Sequence, residues 1–216
     1  MTPAILPRYL SEQAFALCRQ RINDAIGREW IMNAFKLAAL LVVVFAGTAS
    51  AEWVKLENVA FRTDPSNDGD SFHVACNGKS YYLRLYFVDC PETQARLQDR
   101  IAEQAQAFGI EPKSIHKMGK VAEDFTRDRL KQPFTVWTEW ADAQGDSGVP
   151  RFFAFVRDAE GRDLGQELVG NGLARIYGAQ ADHPEGPNRM AQWGLLEQRL
   201  QQAKAQKLGC FSDKVK

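Results

Sequence analysis

Arg84 interrupts the apolar run from Leu83 to Val88, and two acidic residues, Asp89 and Glu92, flank Pro91 immediately after it. Upstream stands a second acidic group, Asp68-Gly69-Asp70-Ser71. Each piece alone has an ordinary reading: the triplet as a solvated turn, Arg84 as an edge-strand cation with its head in water, Asp89 and Glu92 as strand-end caps. Their placement argues otherwise. Ser71–Cys76 and Lys79–Val88 are β-prone runs separated by Asn77-Gly78, a pair that tolerates the positive φ of a type I′ turn. Antiparallel pairing about that turn carries Asp70 and Asp89 to the same end of the ribbon. Two carboxylates and a backbone carbonyl there form an oxygen-rich site suited to a hard cation such as calcium. A cation, an arginine and the further carboxylate of Glu92 are the parts needed to attack a phosphodiester.

The elements around this hairpin follow from patterning. Residues 53–62 suit a first strand, and Asp64–Gly69 is dense in turn formers. Leu97, Ile101, Ala105 and Phe108 recur at helical spacing until Gly109–Pro112 breaks the pattern. A second helix is expected from about His116 to Leu130, with Val121, Phe125 and Leu130 on one face. Phe134–Trp140 and Arg151–Val156 read as strands joined by a polar loop, Asp163–Gly170 as a short helix stopped at Gly172, and Leu173–Tyr177 as the last strand. A final helix would align Met190, Trp193, Leu196, Leu200 and Ala203 on one stripe. This order predicts an α+β fold, mainly barrel: a five-stranded Greek-key OB-fold with about three covering helices and one inserted helix.

The N-terminal quarter reads differently. Leu37 to Gly47 is uninterruptedly apolar or small, preceded by Lys36 and followed by Ala49-Ser50-Ala51, the layout of a secretory signal. The run is about half the roughly 20 residues that span a bilayer, so cleavage after Ala51 is preferred over a permanent anchor. Residues 1–31 precede that signal; the preferred reading starts translation at Met32, the alternative being a genuine segment before an uncleaved anchor. Three parts are therefore expected: a doubtful extension 1–31, a signal peptide 32–51 and a domain 52–216. The product would be exported, periplasmic or secreted, with no stable membrane anchor once the signal is cleaved. The 216-residue chain has no net formal charge. Removing residues 1–51 takes away Arg8, Arg19, Arg21, Arg28 and Lys36 with Glu12, Asp24 and Glu29, leaving 22 basic against 24 acidic residues. That excludes a strongly basic protein that grips polyphosphate through its overall field, so nucleic acid must be held by a local positive site. Cys76, Cys90 and Cys210 are an odd number in an exported domain, and the sequence does not choose a pair. His73, His116 and His183 lie far apart without metal-ligand spacing and read as surface or packing residues.

The motifs together resemble the staphylococcal-nuclease (thermonuclease) family. Asp68-Gly69-Asp70-Ser71, the Asn-Gly hairpin and Leu83-Arg84-Leu85 through Asp89-Cys90-Pro91-Glu92-Thr93 look like its active-site hairpin. Lys117-Met118-Gly119 through Thr126, Pro150-Arg151-Phe152 through Val156, and Leu168-Val169-Gly170-Asn171-Gly172-Leu173-Ala174 resemble later segments in the same order. The resemblance implies that Asp70 and Asp89 bind calcium with the backbone carbonyl of Cys90. It implies Glu92 as general base, or as the residue that orients the attacking water. Arg84 and Arg151 would hold the phosphate through paired guanidinium donors. Single-stranded DNA or RNA would be cut with little sequence preference, leaving 3′-phosphate ends, by a monomer. Tyr177 lies one residue from a base-stacking position, with packing as the competing role. Four features depart from the family pattern: Cys90 replaces a usual threonine, Arg151 sits between Pro150 and Phe152 instead of glycines, residues 94–115 are longer than the usual connection, and the net charge of residues 52–216 is unusually low. The competing functional class is a noncatalytic OB-fold module that binds nucleic acid or protein. An intact Asp70, Arg84, Asp89 and Glu92 favours the enzyme, because a binding module has no need of a general base beside a cation site.

Overall fold

A computed structural model describes residues 52–94, 98–143 and 149–215. The extension 1–31, the signal-like segment 32–51 and Leu97 lie outside these described residues. Strands β1 (Val54–Arg62), β2 (Ser71–Cys76), β3 (Lys79–Leu85), β5 (Phe134–Thr138) and β6 (Phe152–Arg157) close a barrel in the order β1-β2-β3-β6-β5. All neighbours pair antiparallel except β3 and β6, which run parallel. This is the expected five-stranded OB barrel. Among the described residues four α-helices accompany it: α1 (Gln98–Phe108), α2 (Pro112–Arg129), α3 (Leu164–Gly170) and α4 (Arg189–Ala205). Among the described residues, no helix is long and apolar enough to cross a membrane.

The hairpin forms as its turn dictates. Asn77 and Gly78 have φ of 49° and 74°, the pair of positive values that a type I′ turn requires. The resulting register sets Ser71 opposite Arg84 and Cys76 opposite Lys79. Phe72, Val74, Leu83 and Leu85 point inward and are buried in the core, where a fully buried Phe72 side chain contributes about 2–3 kcal/mol.

The strand expected over Lys79–Val88 is divided. Phe87 has a φ of 68°, left-handed for a bulky residue, which costs about 1–2 kcal/mol. Two backbone bonds hold it there: Phe87 N donates to the Ala179 carbonyl at 2.8 Å, and Tyr177 N donates to the Phe87 carbonyl at 2.7 Å. The chain thereby leaves the barrel as β4 (Val88–Asp89) and pairs with β7 (Arg175–Ile176) in a separate two-stranded sheet. The strand expected at Leu173–Tyr177 is thus not a barrel stave.

Two helical faces also differ from expectation. Helix α2 starts earlier, with Pro112 in its first turn, where a missing N–H costs nothing. It buries Ile115, Met118, Gly119, Ala122 and Thr126, while Val121 is 42% exposed. Helix α4 buries Gln192, Leu196 and Ala203; Met190 is 85% exposed and Trp193 is also exposed. Gly119 explains the choice of face on α2. A Cβ there would stand 2.5 Å from the Pro91 carbonyl and 2.6 Å from that of Glu92, so the helix backbone rests directly on the hairpin's end. Gly69 is pressed likewise between Ala122 and Cys90, and a Cβ added to it would stand 2.7 Å from a side-chain atom of each. Thr126 donates to the Gly69 carbonyl at 2.6 Å.

Candidate active site

The acidic turn folds on itself before it meets anything else. Asp68 accepts the backbone N–H groups of Asp70 at 3.1 Å and Ser71 at 2.6 Å, an Asx-type turn that fixes where Asp70 points. Burial, with Asp70 beside it, pushes the Asp68 carboxyl well above the usual range. Burial works against ionisation of Asp70 too, but Arg84 and the Cys90 N–H outweigh it, and its pKa is lowered. Asp70 Oδ2 accepts from Cys90 N at 2.8 Å, which fastens the start of β2 to the end of β4. The expected meeting of Asp70 and Asp89 at one end of the ribbon is therefore present.

Ser71 connects the two arginines. Its hydroxyl donates to Asp70 Oδ1 at 3.0 Å and accepts from Arg84 Nη1 at 3.4 Å and Arg151 Nη1 at 3.3 Å. One donor and two acceptor sites are all that a hydroxyl has, so this junction is complete. Arg151 lies with its guanidinium 5.6 Å from the Tyr82 ring centroid, and its buried Nε has no hydrogen-bond partner. Its position between Pro150 and Phe152 does not keep it from the site. Arg84 Nη2 reaches Asp89 Oδ1 at 3.0 Å and Asp70 Oδ2 at 3.5 Å, and Asp70 above all, joined by Asp89, raises its pKa against the opposing effect of burial.

Asp89 is fully buried and surrounded by donors. Its Oδ1 accepts from Arg84 and Arg100; its Oδ2 accepts from Gln104 Nε2 at 2.9 Å and Arg175 Nε at 2.8 Å. Arg175 stands there because β4 and β7 pair Asp89 with it directly across the sheet. Glu92 is bonded by Arg100 Nε, and its backbone N–H donates to Gln104 Oε1 at 2.9 Å. Burial raises the Glu92 pKa despite the opposing Arg100. Burial also disfavours the Arg100 cation, yet Asp89 and Glu92 more than compensate, and its pKa is raised. The Cys90 carbonyl accepts from Gln104 Nε2 at 2.8 Å, and its thiol is buried, which raises the thiol pKa. Cys76, Cys90 and Cys210 are all buried and unpaired.

The sequence reading missed Arg100, Gln104 and Arg175. Arg100 and Gln104 are four apart on α1, each adjoining a member of the apolar stripe, Ile101 and Ala105. That spacing, which puts both on one side of a helix, was the available signal. Tyr177 is 48% exposed and lies under the Arg175 guanidinium, 4.3 Å from ring centroid to carbon. His73 stacks on Tyr82 at 4.2 Å, and His183 packs against Trp137 and Phe155, roles of packing as expected.

The donor set is right in kind for the implied calcium, but not in disposition. Both Asp89 oxygens and the Cys90 carbonyl already accept from side chains of this chain. Among the described residues, no group of three or more His, Cys, Asp or Glu side chains is placed to hold a metal. The arrangement as it stands does not fit calcium, which takes six to eight oxygens.

A barrel with arginines and buried carboxylates converging at one end of a hairpin has the parts found in a nuclease-like hydrolase. The family model described as staphylococcal nuclease homologue matches residues 82–213, and the chain belongs to that family. The match contains Arg84, Asp89, Cys90, Glu92, Arg100, Gln104, Arg151, Arg175 and Tyr177, and begins after Asp70. A comparison with curated proteins finds no match.

Proposed function

We propose that this protein hydrolyses phosphodiester bonds of single-stranded DNA or RNA as an endonuclease with little sequence preference. The observation that carries this reading is the meeting of Arg84 and Arg151 at the Ser71 hydroxyl, beside Asp70 and Asp89. Two guanidiniums there can each offer paired donors to phosphate oxygens, and the unpartnered Nε of Arg151 is a buried donor in want of an anion. Their charge would stabilise the pentacoordinate state more than the diester, because negative charge builds on the equatorial oxygens as it forms. Glu92, on the same end, would take a proton from water as its oxygen attacks phosphorus. The bond from phosphorus to the 5′ oxygen breaks, that oxygen leaves with a proton from solvent, and a 3′-phosphate remains. Recognition through phosphate explains why little sequence preference is expected.

Tyr177, exposed beside Arg175, would stack a base of the bound strand. The calcium implied by the resemblance would need Asp70, Asp89 and the Cys90 carbonyl, acceptors that are already engaged by this chain's own donors. The enzyme would act as a monomer, exported through the signal-like segment. N-terminal sequencing of the exported protein should begin at Glu52; another start would count against cleavage after Ala51.

A second reading, a noncatalytic nucleic-acid-binding module, draws on one observation: the Glu92 carboxylate is already held by Arg100. Incubating the full chain with end-labelled single-stranded DNA separates the two. Cleavage that vanishes in Glu92→Gln supports the enzyme, whereas binding without cleavage in both proteins leaves the module.

A further inference from the structure

Helix α1 brings to the carboxylate cluster what a bound cation would otherwise bring. The amide nitrogen of Gln104 donates to Asp89 Oδ2 at 2.9 Å and to the Cys90 carbonyl at 2.8 Å. These are two of the oxygens that a calcium ion would have to share. Its amide oxygen accepts from Glu92 N at 2.9 Å, which fixes the orientation of the group. With the amide reversed, an oxygen would face two acceptors and an N–H₂ would face an N–H. Gln104 is fully buried with each end of its amide satisfied.

Arg100 supplies the charge. Its guanidinium bridges Asp89 and Glu92, so the two acidic groups share one cation. With Arg84 and Arg175 added, Asp89 receives four donors on two oxygens, as many as a carboxylate has lone pairs to accept. The carboxylates already have their cations as well: Arg84 pairs with Asp70 and Asp89, Arg100 with Asp89 and Glu92, and Arg175 with Asp89 and Glu103, so a divalent ion would meet acidic groups that are already paired.

Nor is the helix loosely placed. Ile101, Ala105 and Phe108 of α1 are buried in the same core as the barrel, and Phe108 lies 6.3 Å from Phe211, centroid to centroid. Removing Gln104 and Arg100 to admit an ion would strand buried polar groups and unseat that apolar face.

We propose that Gln104 and Arg100 stand in for a divalent cation, so that this member of the family works its site without calcium. This rests on the phosphodiesterase reading of the same site. Neither side chain is assigned a reacting atom: both hold Asp89, Cys90 and Glu92 in place and supply positive charge.

The test uses the full chain stripped of metals by a chelator. Calcium is titrated by calorimetry, terbium by luminescence, and cleavage of single-stranded DNA is followed with and without the chelator. The wild type should bind neither ion and should lose no rate on chelation. Gln104→Glu puts an oxygen where the amide nitrogen stood, and should gain calcium binding and a calcium-dependent rise in Tm. A merely structural role for Gln104 would give no such gain. If Gln104→Glu fails to fold without calcium, Gln104→Ala, which only vacates the position, is titrated in the same way. Stoichiometric calcium binding by the wild type, or a rate abolished by chelation and restored by calcium, overturns the proposal. So does the failure of both variants to gain binding. If the wild type cleaves nothing under any condition yet binds no calcium while the variants do, the phosphodiesterase reading fails and the replacement of the cation stands.

Discussion

The β2–β3 hairpin, with its extension into β4, brings acidic groups and one arginine to the site; helix α1 brings an arginine and an amide that neutralise them. The hairpin is fixed by its own backbone: a positive-φ turn at one end, an Asx turn and the Asp70–Cys90 bond at the other. Helix α1 is fixed by an apolar face, and its polar side chains reach the site only because Ile101, Ala105 and Phe108 are buried. The backbone of the hairpin is set by local turns and that of α1 by an apolar face, and the bonds of Arg100 and Gln104 to Asp89, Cys90 and Glu92 then tie the two together.

Breaking the hairpin's side should have the larger effect. Glu92→Gln keeps the side chain's size and removes the base, and should cut turnover about 10²–10⁴-fold, measured as steady-state cleavage of single-stranded DNA. Arg84→Lys should also be damaging, since a point charge cannot replace the fork that meets Ser71, Asp70 and Asp89; an undiminished rate would mean Arg84 does not clamp phosphate. The frame itself is probed at Gly119, where a Cβ would press on the Pro91 and Glu92 carbonyls. Gly119→Ala should cost about 1–3 kcal/mol by chemical denaturation. Gly194→Ala, on α4 with nothing within 4 Å of the added carbon, should instead stabilise by about 0.5–1 kcal/mol. Equal effects at the two positions would show that α2 does not rest on the hairpin as described.

Tyr177→Ala should leave the chemistry intact and weaken binding of single-stranded DNA by about 1–3 kcal/mol, read as a higher KM with little change in kcat. A further effect, on stability alone, is expected far from the cluster, at His183. Burial, helped by Arg157, lowers its pKa to about 4 from the usual 6.5. Below the usual value the unfolded chain takes up a proton that the folded protein refuses. Stability should therefore fall on acidification between these two pKa values, by on the order of 1 kcal/mol per pH unit at most, and level off below. Denaturation across that window should reveal the slope, and His183→Gln should flatten it.

The hairpin was legible because its signals are local. Asn77-Gly78 states the turn, and the count from it sets Ser71 opposite Arg84 and so brings Asp70 to the end of the ribbon toward which Asp89 runs. Arg151 was legible by resemblance alone, since its approach to Ser71 depends on the parallel pairing of β6 with β3. What escaped was set by tertiary contacts. Phe87 takes a conformation that its side chain disfavours, held by bonds with Ala179 and Tyr177. On α2 and α4, apolar residues occupy more than one face, so periodicity points Val121 and Met190 inward, while glycine's close approach turns α2 otherwise. Arg100 and Gln104 look like solvent-facing residues of an amphipathic helix until the carboxylates opposite them are known.

Cleavage of labelled single-stranded DNA by the full metal-stripped chain, run beside Glu92→Gln, probes the site most directly. Cutting should persist in chelator, leave 3′-phosphate ends and disappear in the variant. Cutting that requires added calcium would contradict the role given to α1, and equal cutting by both proteins would remove Glu92 from the reaction.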